Sequence, residues 1–380
     1  MGKRNTKTVW LGLALSLGTH CKSEETPPTP SPCPKPDPSA YPVQLSSDSS
    51  TTMALFSDGT ARCWGFNTSG QCGVRPSFVK RTTQTNIACA SEISVGGDGG
   101  ALLRFDGRMA VWSGNRFGEL ADGGLKTGTE GTPELIPDMS GIVHVASGEG
   151  SEYAIQKDGT LLWWGRLNVI PPLKLDQLIP GPLPGLPRVK QVVSRAPTCA
   201  VTLDEQVWCW GDNGQGELGD GTTTSRIEPA PVLGLEQVVE VEAGASFACA
   251  LTRNGTVWCW GFNDLGQLGR GDPIDTSPKH LPAFSPTPAM VVGLPPIQSI
   301  GVGTGEACGV DLGGTPYCWG STFAGNISTP QPEPGLDHVL QMSPAGYHLC
   351  ALKADHTVWC SGDLLETGTG VTQLAQVMFE

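Results

Sequence analysis

Apolar positions along this chain fall in short runs, and the runs come in pairs separated by a polar turn. Cys249-Ala250-Leu251 is followed by Asn254-Gly255-Thr256 and then by Val257-Trp258-Cys259-Trp260-Gly261. Runs this short, rich in Val, Trp and Cys and split by a glycine turn, predict β-strands joined as hairpins. An Asn-Gly or Asp-Gly pair suits the positive φ that both central residues of a type I′ turn require. The pair recurs as Asp58-Gly59, Asp106-Gly107 and Asp158-Gly159, with Asp204-Glu205 and Asp355-His356 at corresponding places. Each unit therefore reads as strands without a helix.

The units repeat. Val207 to Gly221 reads VWCWGDNGQGELGDG and returns at Val257 to Gly271 as VWCWGFNDLGQLGRG. Counted from the glycine after Trp or Ser, copies stand at Gly65, Gly114, Gly165, Gly211, Gly261, Gly320 and Gly362, a period near 50 residues. A fixed period of this size marks a solenoid or a propeller. Seven helix-free units predict an all-β fold, a seven-bladed β-propeller over residues 41–380. Closing such a ring needs a latch, and Val371 to Phe379 is expected to pair with Tyr41–Leu45.

Cysteine spacing tests that reading. Cys199/Cys209, Cys249/Cys259, Cys308/Cys318 and Cys350/Cys360 each straddle the turn at a separation of ten. Residues so placed lie opposite each other in a hairpin, near disulfide range. The matching pairs elsewhere are Met53/Cys63, Leu102/Trp112 and Tyr153/Trp163. Cys72 and Cys89 are expected to form a fifth bridge, which leaves Cys63 with Cys33. No C-x-x-C pair or histidine cluster suggests a metal, and cysteines in such regular pairs imply an oxidising compartment.

The repeats resemble those of the regulator of chromosome condensation family, whose blades carry C-A-L…G-x-V-x-C-W-G-x-N-x-x-G-Q-L-G-x-G. Matching residues include Cys249, Ala250, Leu251, Gly255, Cys259, Trp260, Asn263, Gly266, Gln267, Leu268 and Gly269. Units four and five match best; units three, six and seven lose the G-Q-L-G loop. The resemblance implies a propeller, and as one family activity it implies guanine-nucleotide exchange on a small GTPase. Relatives of this fold also include a secreted bacterial inhibitor of β-lactamases. Fold alone does not settle activity.

Ahead of the propeller, Lys3, Arg4 and Lys7 precede the apolar run Val9 to Leu17, which is too short to span a bilayer. Residues 1–20 are read as a signal peptide, with Cys21 as a candidate lipid-acceptor cysteine. Residues 21–40 form a proline-rich stalk of polyproline character. The formal charge is −13, an acidity that disfavours phosphate backbones and so nucleic acid. The membrane is expected to be reached through a lipid anchor only.

Chemistry is sparse. Gly214 to Gly219 fits G-x-G-x-x-G, but the DGTTTSRIEPAP that follows is no dinucleotide-binding helix. No H-E-x-x-H, G-x-S-x-G or phosphate-loop motif is present, and no catalytic, cofactor-binding or metal-binding residue is assigned. The irregular insertions 166–187 and 272–290 remain, where Ile170, Leu173, Leu178, Phe284 and Met290 are candidate anchors for a partner. The expectation is a non-enzymatic, monomeric binding propeller, surface-tethered or secreted, that recognises a protein or a cell-surface polymer; the alternatives are a guanine-nucleotide exchange factor and, after it, an envelope lyase or hydrolase propeller.

Overall fold

The computed structural model describes residues 33–48, 50–125, 131–167, 175–274, 283–323, 325–346, 348–362 and 374–379. The expected signal peptide, Cys21, Ile170 and Leu173 lie outside them.

Hairpin follows hairpin to give seven four-stranded antiparallel sheets, each made of consecutive strands. Blade one runs from Pro42 to Gln84 and blade seven from Val339 to Gln376. The innermost strands are Pro42–Asp48, Ala90–Val95, Ile142–Ser147, Val189–Ser194, Val238–Ala243, Ile297–Val302 and Val339–Pro344. Together they surround a central cavity of about 220 Å³. Because strands alternate in direction, one face of the ring carries the tight Asp-Gly turns and the blade-to-blade links. The other carries the inner connections and the long loops between third and outer strands. We call them the turn face and the loop face.

The core sits between blades rather than within one. Each apolar cluster joins neighbours: Cys199, Val201 and Val207 of blade four pack with Val241, Ala250 and Trp260 of blade five. Burial here is mutual, so no blade can cover its own sheet faces alone. The outer strands that face solvent carry prolines at alternate positions: Pro180 and Pro182, Pro229 and Pro231, Pro286 and Pro288, Pro330 and Pro332. A proline on an edge offers no N–H to another strand and blunts that edge.

Ring closure differs from the expectation. Ala375–Gln376 forms the outer strand of blade seven beside Val358–Gly362, and Pro42–Asp48 pairs only with Thr51–Phe56. Among the described residues no strand is shared between the ends. Side chains close the ring instead. Gln341 holds both the N–H and the C=O of Leu45, at 2.8 and 2.9 Å. Val377 and Phe379 pack on blade one, where Phe379 meets the Phe56 ring edge-on at 5.1 Å.

Four disulfides join second and third strands at Cys199–Cys209, Cys249–Cys259, Cys308–Cys318 and Cys350–Cys360. Their Cα atoms are 4.1 to 4.2 Å apart. That is the close spacing of a non-hydrogen-bonded antiparallel pair. The Cys72–Cys89 expectation is corrected. Cys63 has Met53 opposite it and, still buried, bonds Cys72 in the following loop, leaving Cys89 to Cys33. Blade two also shifts. Gly100, not Leu102, lies opposite Trp112, and the place of the cysteine pair is filled by Ala101 and Val111.

Candidate functional site

Among the described residues, three features set one face apart from the other: the loops, the channel mouth and the N-terminal segment. In blades one, two, four and five an asparagine after the third strand folds the chain back. The Oδ1 atoms of Asn67, Asn115, Asn213 and Asn263 accept the N–H of Cys72, Leu120, Leu218 and Leu268, at 2.8 to 3.0 Å. One residue earlier, the Gln71, Glu119, Glu217 and Gln267 carboxyl or amide oxygens accept the N–H two residues back. Burial raises the pKa of Glu119 and Glu217, and these backbone bonds oppose it. The loop then presents a carbonyl to the next blade. Trp112, Trp164, Trp260 and Trp319 donate their indole N–H to the carbonyls of Gln71, Glu119, Glu217 and Gln267, at 2.7 to 2.9 Å. Gly219, at φ +65°, makes the approach possible: a Cβ there would lie 2.9 Å from the Trp260 Nε1.

The channel is polar and unequal around its wall. Gln44 clamps both backbone groups of Ile93, each at 3.1 Å, and Gln191 does the same to Val241 at 3.1 and 3.0 Å. At the equivalent place in blade three His144 Nδ1 lies 2.7 Å from Glu92, and its Nε2 lies 2.9 Å from the Val192 carbonyl. Burial works against the imidazolium, but Glu92 outweighs it, and the His144 pKa is raised. Glu240 and Glu242 point into the same space. Burial, reinforced by the Glu242 charge, pushes Glu240 up to about 8. Burial lifts Glu242 to about 7, against the pull of Arg195 and His144.

At the loop face Arg195 of blade four crosses the opening. Its Nη2 donates to the Ser47 carbonyl at 2.9 Å and pairs with Asp48 of blade one at 3.1 Å. Blades one and four are three places apart, so this side chain spans the channel mouth. Asp48 and Glu149 approach Gly97, next to Asp98, and complete an acidic surround. None of these channel groups was singled out from the sequence. The available signal was a polar residue just before the buried apolar residue of every inner strand, as in Gln44-Leu45 and Gln191-Val192.

On the turn face runs the N-terminal segment. Cys33 is bonded to Cys89 in the link between blades one and two. The Asp37 N–H donates to Asp58 at 3.0 Å, and Tyr41 stacks on His356 of blade seven with ring centroids 3.9 Å apart. Residues 33–41 thus strap blades two, one and seven together.

The proposed anchors are dispersed. Phe284 and Met290 are 43% and 50% exposed, but they sit at opposite ends of one outer strand and pair with Phe262 and Trp258. Six residues of strand separate them by about 20 Å. Leu178 is half-buried, and its side chain fills the space beside Gly118 of blade two. The grouping of Glu306, Cys308 and Cys318 has ligand atoms within 4.8 Å of one another. Its two cysteines are bonded to each other, so no thiolate is available to a metal.

These blades, joints and loops define a seven-bladed β-propeller in which carbonyl-to-indole contacts join four pairs of successive repeats. Residues 204–251 and 254–310 match the regulator of chromosome condensation (RCC1) repeat, and residues 238–267 match a second form of it. Repeats of that family are therefore present in blades four to six. Human E3 ubiquitin-protein ligase HERC2 is 30% identical over 228 residues, 53% of this chain and 4% of that protein. Mouse HERC4, a probable E3 ubiquitin-protein ligase, is 28% identical over 212 residues, 50% of this chain and 19% of its own length. The chain therefore spans a minor part of these relatives. Among solved structures, Prp20p of Saccharomyces cerevisiae superposes with a TM-score of 0.72 at 18% identity, covering 90% of this chain and 88% of that one. Human WBSCR16 superposes at 0.68 and 16% identity, covering 84% and 88%. At these identities the likeness establishes the fold. The six disulfides imply an oxidising environment.

Proposed function

We propose that this protein is a non-enzymatic binding propeller, exported and held at the cell envelope through its N-terminal segment, that takes a protein or polymer partner on its loop face. One observation carries the reading: the Cys33–Cys89 strap fixes the N-terminal side of the propeller to the turn face. A tether leaving from there would turn the loop face, with its Arg195-spanned acidic mouth, away from the anchor. The proline-blunted outer strands favour recognition on a face over strand addition at the rim. Acidity around the mouth suits a basic or cationic partner and disfavours nucleic acid.

Single cysteines placed on the two faces test the arrangement. Thr223→Cys lies on the loop face, and Leu312→Cys, at a residue 74% exposed, lies on the turn face. A membrane-impermeant maleimide is expected to label Thr223→Cys on intact cells faster than Leu312→Cys, with equal rates on purified protein. Equal labelling on cells would remove the proposed orientation. A protein found in the cytosol with reduced thiols would remove the exported reading altogether and redirect the search to small GTPases.

A further inference from the structure

The inner strands repeat one joint with different side chains. In blades one, four and seven a glutamine supplies an oxygen to the neighbour's N–H and an amide N–H to the same residue's carbonyl. In blade five that position is Glu240, whose Oε2 accepts the Ile300 N–H at 3.3 Å. A carboxylate can copy only the accepting half of the clamp. A carboxylic acid copies both, because its O–H takes the place of the amide N–H. We propose that Glu240 remains a carboxylic acid in the folded protein and locks blade five to blade six as glutamine locks three other joints, so that alkali opens this joint selectively.

The surroundings support the acid form. On its own strand Glu240 faces Glu242, a second carboxyl two residues on and on the same side. Val189–Ser194 of blade four brings Gln191, already engaged with Val241, and the adjoining Arg195, which is held by Asp48. Lys190 of that strand is turned to Glu205, 3.7 Å away. Ile297–Val302 of blade six contributes Ser299 and the Ile300 backbone to the lining, with no ionisable side chain. Across the channel His144 is committed to Glu92. Burial first, and then the Glu242 carboxyl, outweigh the Ile300 N–H bond that favours the charged form, and with no cation of its own Glu240 is pushed up to about 8. Loss of the proton to solvent removes the donor and sets a negative charge against the Ile300 carbonyl. A group whose pKa rises on folding stabilises most below its unfolded value, and its contribution falls as the pH climbs through 8.

Amide hydrogen exchange, corrected for intrinsic base catalysis, reads the joint directly. Protection of the Ile300 amide is expected to fall about tenfold or more between about pH 6 and about pH 9. The glutamine-held amides of Ile93 and Val241 should keep theirs. In Glu240→Gln the Ile300 amide should behave as Val241 does at both pH values. Protection of Ile300 that is constant with pH in the wild type overturns the proposal, whether or not the variant folds. So does a Glu240→Gln variant in which the alkaline loss persists.

Discussion

The joint between blades four and five and the joint between blades three and four each bury a tryptophan, yet only one is complete. In the first, Trp260 donates to the Glu217 carbonyl of an intact loop. In the second, Trp210 is equally buried, but its indole N–H finds no partner among the described residues. The difference lies in the preceding blade. Blade four keeps the Gly-Glu-Leu-Gly loop, and blade three has lost it. The pattern holds elsewhere. Trp64 of blade one follows the altered blade seven, and its indole N–H also has no partner among the described residues. Blade six has cut the connection to a turn, with Thr322 opposite Gly325, and blade seven answers with Ser361 in place of the tryptophan. A joint therefore belongs to two repeats, and wear in one leaves its mark in the next.

The worn joint between blades seven and one is also where the ring closes, and it is the joint that the strap crosses. This gives the largest expected effect. The Cys33–Cys89 bridge encloses a separation of 56 residues, against 10 for Cys249–Cys259. In the loop-entropy account those bridges stabilise by about 4 and about 2.5 kcal/mol. Denaturant unfolding of Cys33→Ser/Cys89→Ser should show the greater loss, compared with Cys249→Ser/Cys259→Ser. An equal or smaller loss would mean that Gln341 and Phe379 close the ring unaided.

The same joint should be sensitive to acid. His348 is buried, its Nδ1 has no partner among the described residues, and its Nε2 meets the Thr52 hydroxyl. Burial depresses its pKa from 6.5 to about 4. The unfolded chain then takes up the proton first, so stability is full above pH 6.5 and is lost as the pH falls toward 4. The loss reaches about 3 kcal/mol at the acid end. Phe247 fills the equivalent place in blade five, opposite Gly261 as His348 is opposite Gly362. His348→Phe should flatten this part of the stability profile. An unchanged acid slope would assign it to other groups.

Much of this architecture was legible in the chain. The 50-residue period, the Asp-Gly turns and the ten-residue cysteine spacing report local hairpins, and hairpins are what the sheets are made of. What escaped was non-local. Closure without a shared strand depends on Gln341 meeting Leu45 and on Phe379 meeting Phe56, contacts that no repeat pattern encodes. Cys63 and Cys89 were misassigned because their partners, Cys72 and Cys33, lie outside the repeated hairpin. Blade two slipped in register because Ser113 there stands where other blades have glycine, and Gly114 drew the count one residue late. The channel groups were hidden for another reason. Gln44, Glu92, His144, Gln191 and Glu240 differ in chemistry while sharing a position, so they register as a motif only once the strands are aligned in space.

The smallest expected effect isolates the comparison itself. Trp260→Phe and Trp210→Phe remove the same atoms from sites of equal burial, so lost ring area and cavity terms nearly cancel between them. What does not cancel is the N–H. At Trp260 its removal leaves the buried Glu217 carbonyl without its donor, which costs about 1–2 kcal/mol. At Trp210 it removes a donor that bonds none of the described residues, relieving a desolvation cost. Trp319→Phe should fall with the first, since Trp319 donates to Gln267 in the same way. Unfolding midpoints of the three variants should therefore separate into one mild case and two costly ones. If all three coincide, the loop carbonyl is not what holds the blades together, and the loss of loops in blades three, six and seven needs another cause.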